Sequence, residues 1–223
     1  MNKTIIVVFG YGKVQPVFDR HLPLWEAHGF PILVCSPVDD PLQSGHEPLN
    51  YGLSEHHGRQ TTLRCYTSLE EAVKRGYAAI VLMEYDAFCL RKEFIIRPGL
   101  HGIISHTLEP RRFIAPRYVL PPWTLDGYSA RKMLKIYKRY PEVVEEGYMD
   151  RLLAAWAFLA GVPILPLLWD SPPVATLTPS DRDQVRLLAS RGVCYWHGVK
   201  DAATFDLITN AYRPGVCHYS GLP

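Results

Sequence analysis

The chain lacks the cysteine pattern of a disulfide-stabilised or zinc-binding protein. Its cysteines are odd in number, widely spaced and never form a Cys-x-x-Cys pair: Cys35, Cys65, Cys89, Cys194 and Cys217. This pattern argues against a disulfide framework and a zinc ribbon, and it favours a reducing compartment. The formal net charge of +2 is too small to indicate a nucleic-acid partner by itself. Hydrophobic residues make up 48% of the chain, which is enough for a globular core.

The sequence predicts neither a signal peptide nor an uninterrupted membrane-spanning run. The apolar run Ile5–Phe9 is short and ends in Gly-Tyr-Gly, so it predicts a buried strand. The uncharged stretch Leu152–Trp169 is long enough to span a bilayer, but Gly161, Pro163 and Pro166 interrupt it. It therefore predicts a buried helix, a tight Gly-Val-Pro connection and a buried strand. We expect a cytoplasmic protein without a membrane span.

No complete nucleotide-binding motif of the glycine-rich kind is present. The sequence GYGK, residues 10–13, follows the first predicted strand. Gln15 stands where a dinucleotide fingerprint needs a third glycine, and Val14 stands where a phosphate loop needs Ser or Thr. Both motifs are excluded. A nucleotidyltransferase, which usually opens with a Gly-rich loop followed by Arg and Lys, is also matched poorly.

Hydrophobic spacing predicts an α/β fold that opens with a β-α-β unit, the unit that builds parallel sheets. The predicted strands are Thr4–Phe9, Pro31–Cys35, Ala78–Met83, Pro163–Leu168 and Val193–Trp196. The predicted helices are Pro16–His28, Ser68–Arg75 with Ser68 as its cap, Ser129–Tyr140, Glu142–Ala160 and Asp181–Arg191. Residues 36–62 are expected to form a long loop, and residues 91–122 short strands and turns. Without repeats or a linker, residues 1–223 are predicted as a single domain with a mostly parallel central sheet flanked by helices.

Two carboxylates follow the most apolar predicted strand, in the sequence AAIVLMEYDAFCL. Because side chains alternate along a strand, Glu84 and Asp86 should point to the same side. A pair of carboxylates at the carboxyl end of a central strand suits Mg²⁺ or Mn²⁺, and such an ion suits a diphosphate. The spacing is equally compatible with a strand that simply ends in solvent at acidic residues.

A second candidate segment lies near the end of the chain, in CYWHGVKD. His197 is a competent Mn²⁺ ligand, Gly198 allows close approach of the backbone, and Lys200 could pair with a phosphate. Taken alone, the same segment is compatible with an exposed turn.

A strand that ends in Glu-x-Asp, together with a late His-Gly-x-Lys, resembles the GT-A class of glycosyltransferases. The order of elements along most of the chain is also similar to that class. The resemblance implies a GT-A-like, Rossmann-like fold and transfer of a sugar from a nucleoside diphosphate sugar, with UDP-sugar the commonest donor. The acceptor is left open: a glycan, a small molecule or, in a minority hypothesis, a modified base in DNA.

The resemblance also implies a role for each candidate residue. Asp86 would bind Mn²⁺ or Mg²⁺ and His197 would complete the metal shell. Glu84 would contact the donor ribose or sugar, and Lys200 would contact the diphosphate. Phe9, Gly10 and Tyr11 would hold the nucleobase and ribose, with Tyr11 able to stack on the base.

Asp150 is the first candidate for a catalytic base, and Glu146 is the second. They are four residues apart, so they share one face of a predicted helix. In inverting members of the GT-A class, an acid near this helix start deprotonates the acceptor hydroxyl, and Asp150 fits that position best. Both residues are equally compatible with solvated carboxylates that the helix dipole favours. A retaining enzyme would need no such base.

Basic residues cluster in the predicted helix SARKMLKIYKRY. Arg131, Lys135, Lys138 and Arg139 lie along one face, which is either solvated or docks a phosphate-rich ligand such as nucleic acid. The alternative to an enzyme is a non-catalytic α/β module that binds nucleotides or nucleic acid on the same scaffold.

Overall fold

The architecture comes from a computed structural model that describes residues 3–54, 59–89, 97–104, 119–140, 149–167, 181–190, 193 and 195–212. The strands are β1 Thr4–Phe9, β2 Ile32–Pro37, β3 Glu47–Tyr51, β4 Ala79–Glu84, β5 Phe88–Cys89, β6 Leu100–Ile104, β7 Val119–Asp126, β8 Ile164–Pro166 and β9 Tyr195–Trp196. The helices are α1 Gln15–Glu26, α2 Arg59–Lys74, α3 Gly127–Arg139, α4 Met149–Leu159, α5 Arg182–Ser190 and α6 Ala202–Ala211.

A seven-stranded sheet forms the centre of the fold, with strand order β3-β2-β1-β4-β7-β6-β8. β3, β2, β1 and β4 pair in parallel, as do β6 and β8. β7 runs antiparallel to both of its neighbours, β4 and β6. The prediction of a mostly parallel central sheet flanked by helices is therefore confirmed.

Both faces of the two central strands β1 and β4 are covered, which explains their unbroken apolar sequences. Ile80 and Leu82 pack on one face with residues of α2, α3 and α4. Val81 and Met83 pack on the other face of the sheet, against Phe18 and the other buried apolar residue of α1. The even-numbered residues of β4 therefore face α2 and α4, and this parity decides where the last residue of the strand points.

A small second sheet lies beside the main one and pairs β5 with β9 in antiparallel orientation. Phe88 and Trp196 are opposite each other in this pair, and both belong to an apolar cluster with α5 and α6. The turn before β5 is tied to α1, because the indole of Trp25 donates a 2.9 Å hydrogen bond to the carbonyl of Ala87. The two-residue strands are thus held by the packing around them.

Several predicted boundaries are wrong. Ser68 does not begin a helix: α2 starts at Arg59, and the Ser68 hydroxyl donates to the carbonyl of Arg64 inside the helix. The predicted loop 36–62 contains β3 and the start of α2, and α6 was missed. Residues 152–167 do form a buried helix, a turn and a short strand, as predicted, but the strand, β8, is not buried as expected because it lies at the edge of the sheet. None of the helices among the described residues is both long and apolar enough to cross a membrane.

Asp126 connects three parts of the fold. Its carboxylate caps α3 by accepting hydrogen bonds from the amides of Tyr128 and Ser129, and it also accepts one from the amide of Gly99 beside β6.

We expect Asp126→Ala to lower the free energy of unfolding by about 1–2 kcal/mol, because the N-cap acceptor is lost. Chemical denaturation measures this change. Asp126→Asn keeps an acceptor oxygen and should lose clearly less; an equal loss would contradict the capping role.

Candidate active site

The acidic segment after β4 places two carboxylates at the carboxyl edge of the sheet. Glu84 is the last residue of β4 and lies beside Phe9 of β1 in the parallel register. By the parity of the strand, it follows Ile80 and Leu82 toward α2 and α4. Asp86 lies in the turn beyond the strand and is only 2% exposed. The two side chains converge as predicted, although a turn rather than strand alternation brings Asp86 there.

His197 reaches this edge because β9, which precedes it, pairs with β5, which follows the acidic turn. The amide of Val199 donates to the carbonyl of Asp86 across 3.1 Å and fixes the two loops together. Gly198 has φ +83°, a left-handed conformation that favours glycine and lets the chain turn after His197. This pairing joins segments that are 113 residues apart in sequence.

Glu84, Asp86 and His197 form a cluster whose potential metal-ligand atoms all lie within 4.8 Å of one another. The imidazole Nε2–H of His197 donates a 2.8 Å hydrogen bond to Glu84 Oε2 and lies 3.6 Å from Asp86 Oδ1. Lys200 Nζ is 3.8 Å from Asp86 Oδ2. The predicted metal pair of Asp86 and His197 is therefore brought together, and Glu84 joins it as a third potential ligand.

The proton affinities of these three groups differ because their surroundings differ. Burial raises the pKa of Asp86, and the nearby charge of Glu84 adds to this effect. Burial alone would also raise the pKa of Glu84, but the hydrogen bond from His197 and the positive charges of His197, Arg64 and Lys200 together outweigh it and lower that pKa. Burial would lower the pKa of His197, yet the hydrogen bond to Glu84 and the charges of Glu84 and Asp86 raise it.

The donor set fits a small divalent cation. Carboxylate oxygens with one imidazole are ligands that Mn²⁺ accepts, and Mg²⁺ prefers the oxygens. Asp86 Oδ1 is buried and accepts no hydrogen bond from any residue that the structure describes. A buried oxygen without a donor is costly to keep, so a bound cation would satisfy a group that the protein leaves open.

A cavity of about 210 Å³ opens beside the cluster. Its lining includes Glu84 and His197 of the cluster, and Asp150 at the start of α4. A larger cavity of about 440 Å³ lies between α5 and α6. Size is a weaker guide than chemistry, because Asp206 is the only carboxylate among the described residues that line the larger cavity.

Asp150 lines the cavity at the start of α4. Burial raises its pKa, and the charge of Glu84 raises it further, against the backbone amide and the charge of Arg151. The amide of Arg151 donates a 2.9 Å hydrogen bond to Asp150 Oδ1, which orients the carboxylate. Glu146, the second candidate base, lies outside the described residues.

The predicted nucleoside-binding loop follows β1 at the same edge. The Phe9 ring is fully buried, so only the backbone of Phe9 is left for a ligand. A Cβ atom at Gly10 would lie 2.6 Å from the Leu42 side chain. Glycine therefore allows the backbone of the loop to pack closely against Leu42. The Tyr11 ring meets Tyr85 edge-on at 5.8 Å between centroids, which gives the loop an aromatic wall next to the acidic turn.

Arg64 and Thr61 of α2 also line the cavity, and sequence reasoning missed both. The guanidinium of Arg64 lies over the Phe9 ring, 5.1 Å from its centroid, and its positive charge helps to lower the pKa of Glu84. A signal was present in the sequence: Cys65, Leu69 and Ala72 are buried at helical spacing. Extending that pattern backwards would have placed Arg64 within α2.

Two solved glycosyltransferase structures share this fold. One is a glycosyltransferase involved in the glycosylation of the major capsid of PBCV-1, with a TM-score of 0.53 and 10% sequence identity over 93% of this chain and 98% of that chain. The other is an active-site mutant of LgtC, with a TM-score of 0.51 and 10% identity over 93% of this chain and 94% of that chain. The predicted GT-A-like fold is confirmed. No protein-family profile matches the chain, and no curated protein sequence matches it.

The Glu84–His197 pair should make folding stability depend on pH in the metal-free protein. The raised pKa of His197 means that its contribution is present below its ordinary value of 6.5 and is lost as pH rises through the raised pKa. The lowered pKa of Glu84 means that its contribution is present above its ordinary value of 4.5 and is lost as pH falls through the lowered pKa. The pair should therefore contribute most between those two ordinary values.

We expect His197→Gln to lower the free energy of unfolding by about 1–2 kcal/mol near pH ~5.5, and by less at pH ~9. Urea denaturation at both pH values, in the presence of a chelator, measures this. His46→Gln is the matched control, since His46 pairs with the half-exposed Glu26 on the surface and should contribute less than about 0.5 kcal/mol. A loss for His197→Gln that grows toward alkaline pH would contradict the assigned pair.

Proposed function

We propose that this protein is a metal-dependent glycosyltransferase that transfers a hexose from a nucleoside diphosphate sugar, with UDP-sugar as the first candidate, to a hydroxyl acceptor. The observation that carries the proposal is the Glu84–Asp86–His197 cluster, which lies at the carboxyl edge of a GT-A-like sheet. In open α/β sheets, ligands bind at this edge. The likeness to the PBCV-1 capsid glycosyltransferase and to LgtC supports the choice of reaction class.

On this proposal, the cluster and its neighbours hold the donor. Asp86 and His197, with Glu84 beside them, would bind Mn²⁺ or Mg²⁺, and such an ion offsets the charge that builds up on a leaving nucleoside diphosphate. Lys200 would add a positive charge for the diphosphate, since its ammonium is largely exposed and lies 3.8 Å from Asp86. Gly10 and Tyr11 would hold the nucleoside, and Glu84 would also reach the ribose or sugar.

Asp150 would act as the base in an inverting transfer. The acceptor hydroxyl attacks the anomeric carbon, the bond from that carbon to the diphosphate oxygen breaks, and Asp150 takes the hydroxyl proton. A carboxylate whose pKa is raised is a better proton acceptor near neutral pH than an ordinary aspartate. The shared cavity supports this role, because Asp150 lines the same space as Glu84 and His197 of the cluster.

Asp86→Asn tests the donor site. The change removes a charged ligand but keeps the shape of the side chain, so we expect binding of Mn²⁺ and of UDP with Mn²⁺ to weaken at least about tenfold while the fold is kept. Isothermal titration calorimetry of wild type and variant measures both affinities, and circular dichroism checks the fold. The control Asp206→Asn removes an exposed acid outside the cluster and should bind as wild type does. Unchanged metal-dependent UDP binding in Asp86→Asn would reject the assigned site.

Asp150→Asn separates catalysis from donor binding. We expect kcat for sugar transfer to fall by about a hundredfold to ten-thousandfold, with the affinity for the donor unchanged, because only the proton acceptor is removed. Glu146→Gln is made in parallel to test the second candidate base. Full turnover in Asp150→Asn would remove it as the base. Donor binding by wild type, without hydrolysis or transfer to any hydroxyl acceptor, would favour the non-catalytic binding module.

A further inference from the structure

Helix α3 presents a cationic face that the proposed reaction does not use. Its sequence contains five cations and no acid: Arg131, Lys132, Lys135, Lys138 and Arg139. Lys138 pairs with Glu70 at 3.1 Å, and Lys132 donates to the carbonyl of Gly161. Arg131, Lys135 and Arg139 are exposed and form no ion pair with any acid in the part of the chain that the structure describes.

These three cations share one face with an exposed aromatic ring. Tyr128, Arg131, Lys135 and Arg139, which we call the α3 stripe, follow one another at spacings of three or four residues. Residues at this spacing lie above one another on a helix, so the stripe runs about 16 Å along the axis, with its cations about 6 Å apart. Tyr128 is 63% exposed, which is unusual for so large a ring.

The orientation of the stripe is fixed by the opposite face of α3. Met133 is fully buried in the main core. The Tyr137 ring packs, tilted, against two other rings. Its centroid is 4.3 Å from that of Tyr66 of α2 and 5.5 Å from that of Trp156 of α4. Because α3 cannot rotate without breaking these contacts, its cations stay directed outward.

A second exposed aromatic ring lies on α4, which packs beside α3. Phe158 near the end of α4 is 56% exposed, and its carbonyl accepts from the amide of Gly161. The ammonium of Lys132 links both places, since it bonds to Gly161 and lies 5.9 Å above the Tyr128 ring. The α3 stripe therefore begins at the solvent-facing Tyr128 ring and continues as a row of cations, and the exposed Phe158 ring belongs to a residue three positions before the Gly161 carbonyl that Lys132 binds.

We propose that the α3 stripe is a binding surface for single-stranded nucleic acid, with the backbone phosphates on Arg131, Lys135 and Arg139 and with bases stacked on Tyr128 and Phe158. Regular cations beside exposed rings are the combination that binds single strands, because phosphates need charge and unpaired bases need a stacking partner. A lipid surface would need a free apolar helix face, and that face of α3 is buried. The proposal does not depend on the glycosyltransferase function.

Fluorescence anisotropy with a labelled 20-mer of thymidine tests the surface. We expect binding at low salt that weakens as salt rises, with a slope of log affinity against log salt of about −2 for three phosphate contacts. The triple variant Arg131→Glu, Lys135→Glu, Arg139→Glu should bind at least a hundredfold more weakly. Tyr128→Ala should bind about tenfold more weakly with the same slope, because it removes stacking and no charge.

A charge-matched control excludes a general effect of net charge. The variant Lys3→Glu, Lys74→Glu, Arg182→Glu changes three exposed cations elsewhere by the same total charge and should bind as wild type does. Thermal melting confirms that each variant is folded. The proposal is overturned by equal binding of wild type and the stripe variant, by an equal loss in the control, or by equal affinity for a duplex of the same length. Binding to anionic vesicles without binding to the 20-mer would also overturn it.

Discussion

The pairing of β5 with β9 is the contact on which the candidate active site depends. It consists of only two residues from each strand, Phe88 opposite Trp196 and Cys89 opposite Tyr195. So short a ladder is not stable alone, and the buried rings around it supply the missing stabilisation. Because the acidic turn directly precedes β5 and His197 directly follows β9, this one pairing sets the distances between groups that are far apart in sequence.

The charges in the cluster place conflicting demands on the protein. Burial raises the pKa of Asp86, while the hydrogen bond and charge of His197 help to lower the pKa of Glu84 next to it. Lys200 forms an ion pair with only one oxygen of Asp86, Oδ2. The other oxygen, Oδ1, accepts no hydrogen bond from any of the described residues. A sequence selected for stability alone would remove this conflict, for example with an amide at Asp86. Local conflicts of this kind are expected where function requires them.

The sequence predicted what depends on local pattern and missed what depends on tertiary contacts. The limits of β1 are as predicted, because an apolar run flanked by a glycine motif defines them. β3 was missed because Glu47 and Pro48 are poor strand formers, and its pairing with β2 holds this edge strand in place. Ser68 and Glu71 match the capping pattern of a helix start, but packing extends α2 toward the N-terminus, as far as Arg59. Strand alternation predicts that Glu84 and Asp86 lie on the same side, but only the resemblance adds His197, since no local pattern links it to them.

Glu84 lines the cavity because of its position in the alternation of side chains along β4. The even positions of the strand face α2 and α4, so Glu84 points to the side where Arg64 and Asp150 lie, while the following turn brings Asp86 to the His197 loop. Glu84 consequently belongs both to the cluster and to the wall that faces Asp150. Its charge also contributes to the raised pKa of Asp150. Any change in the charge of Glu84 therefore alters the proton affinity of Asp150, so that in the proposed reaction this one carboxylate would couple the donor site to the catalytic base.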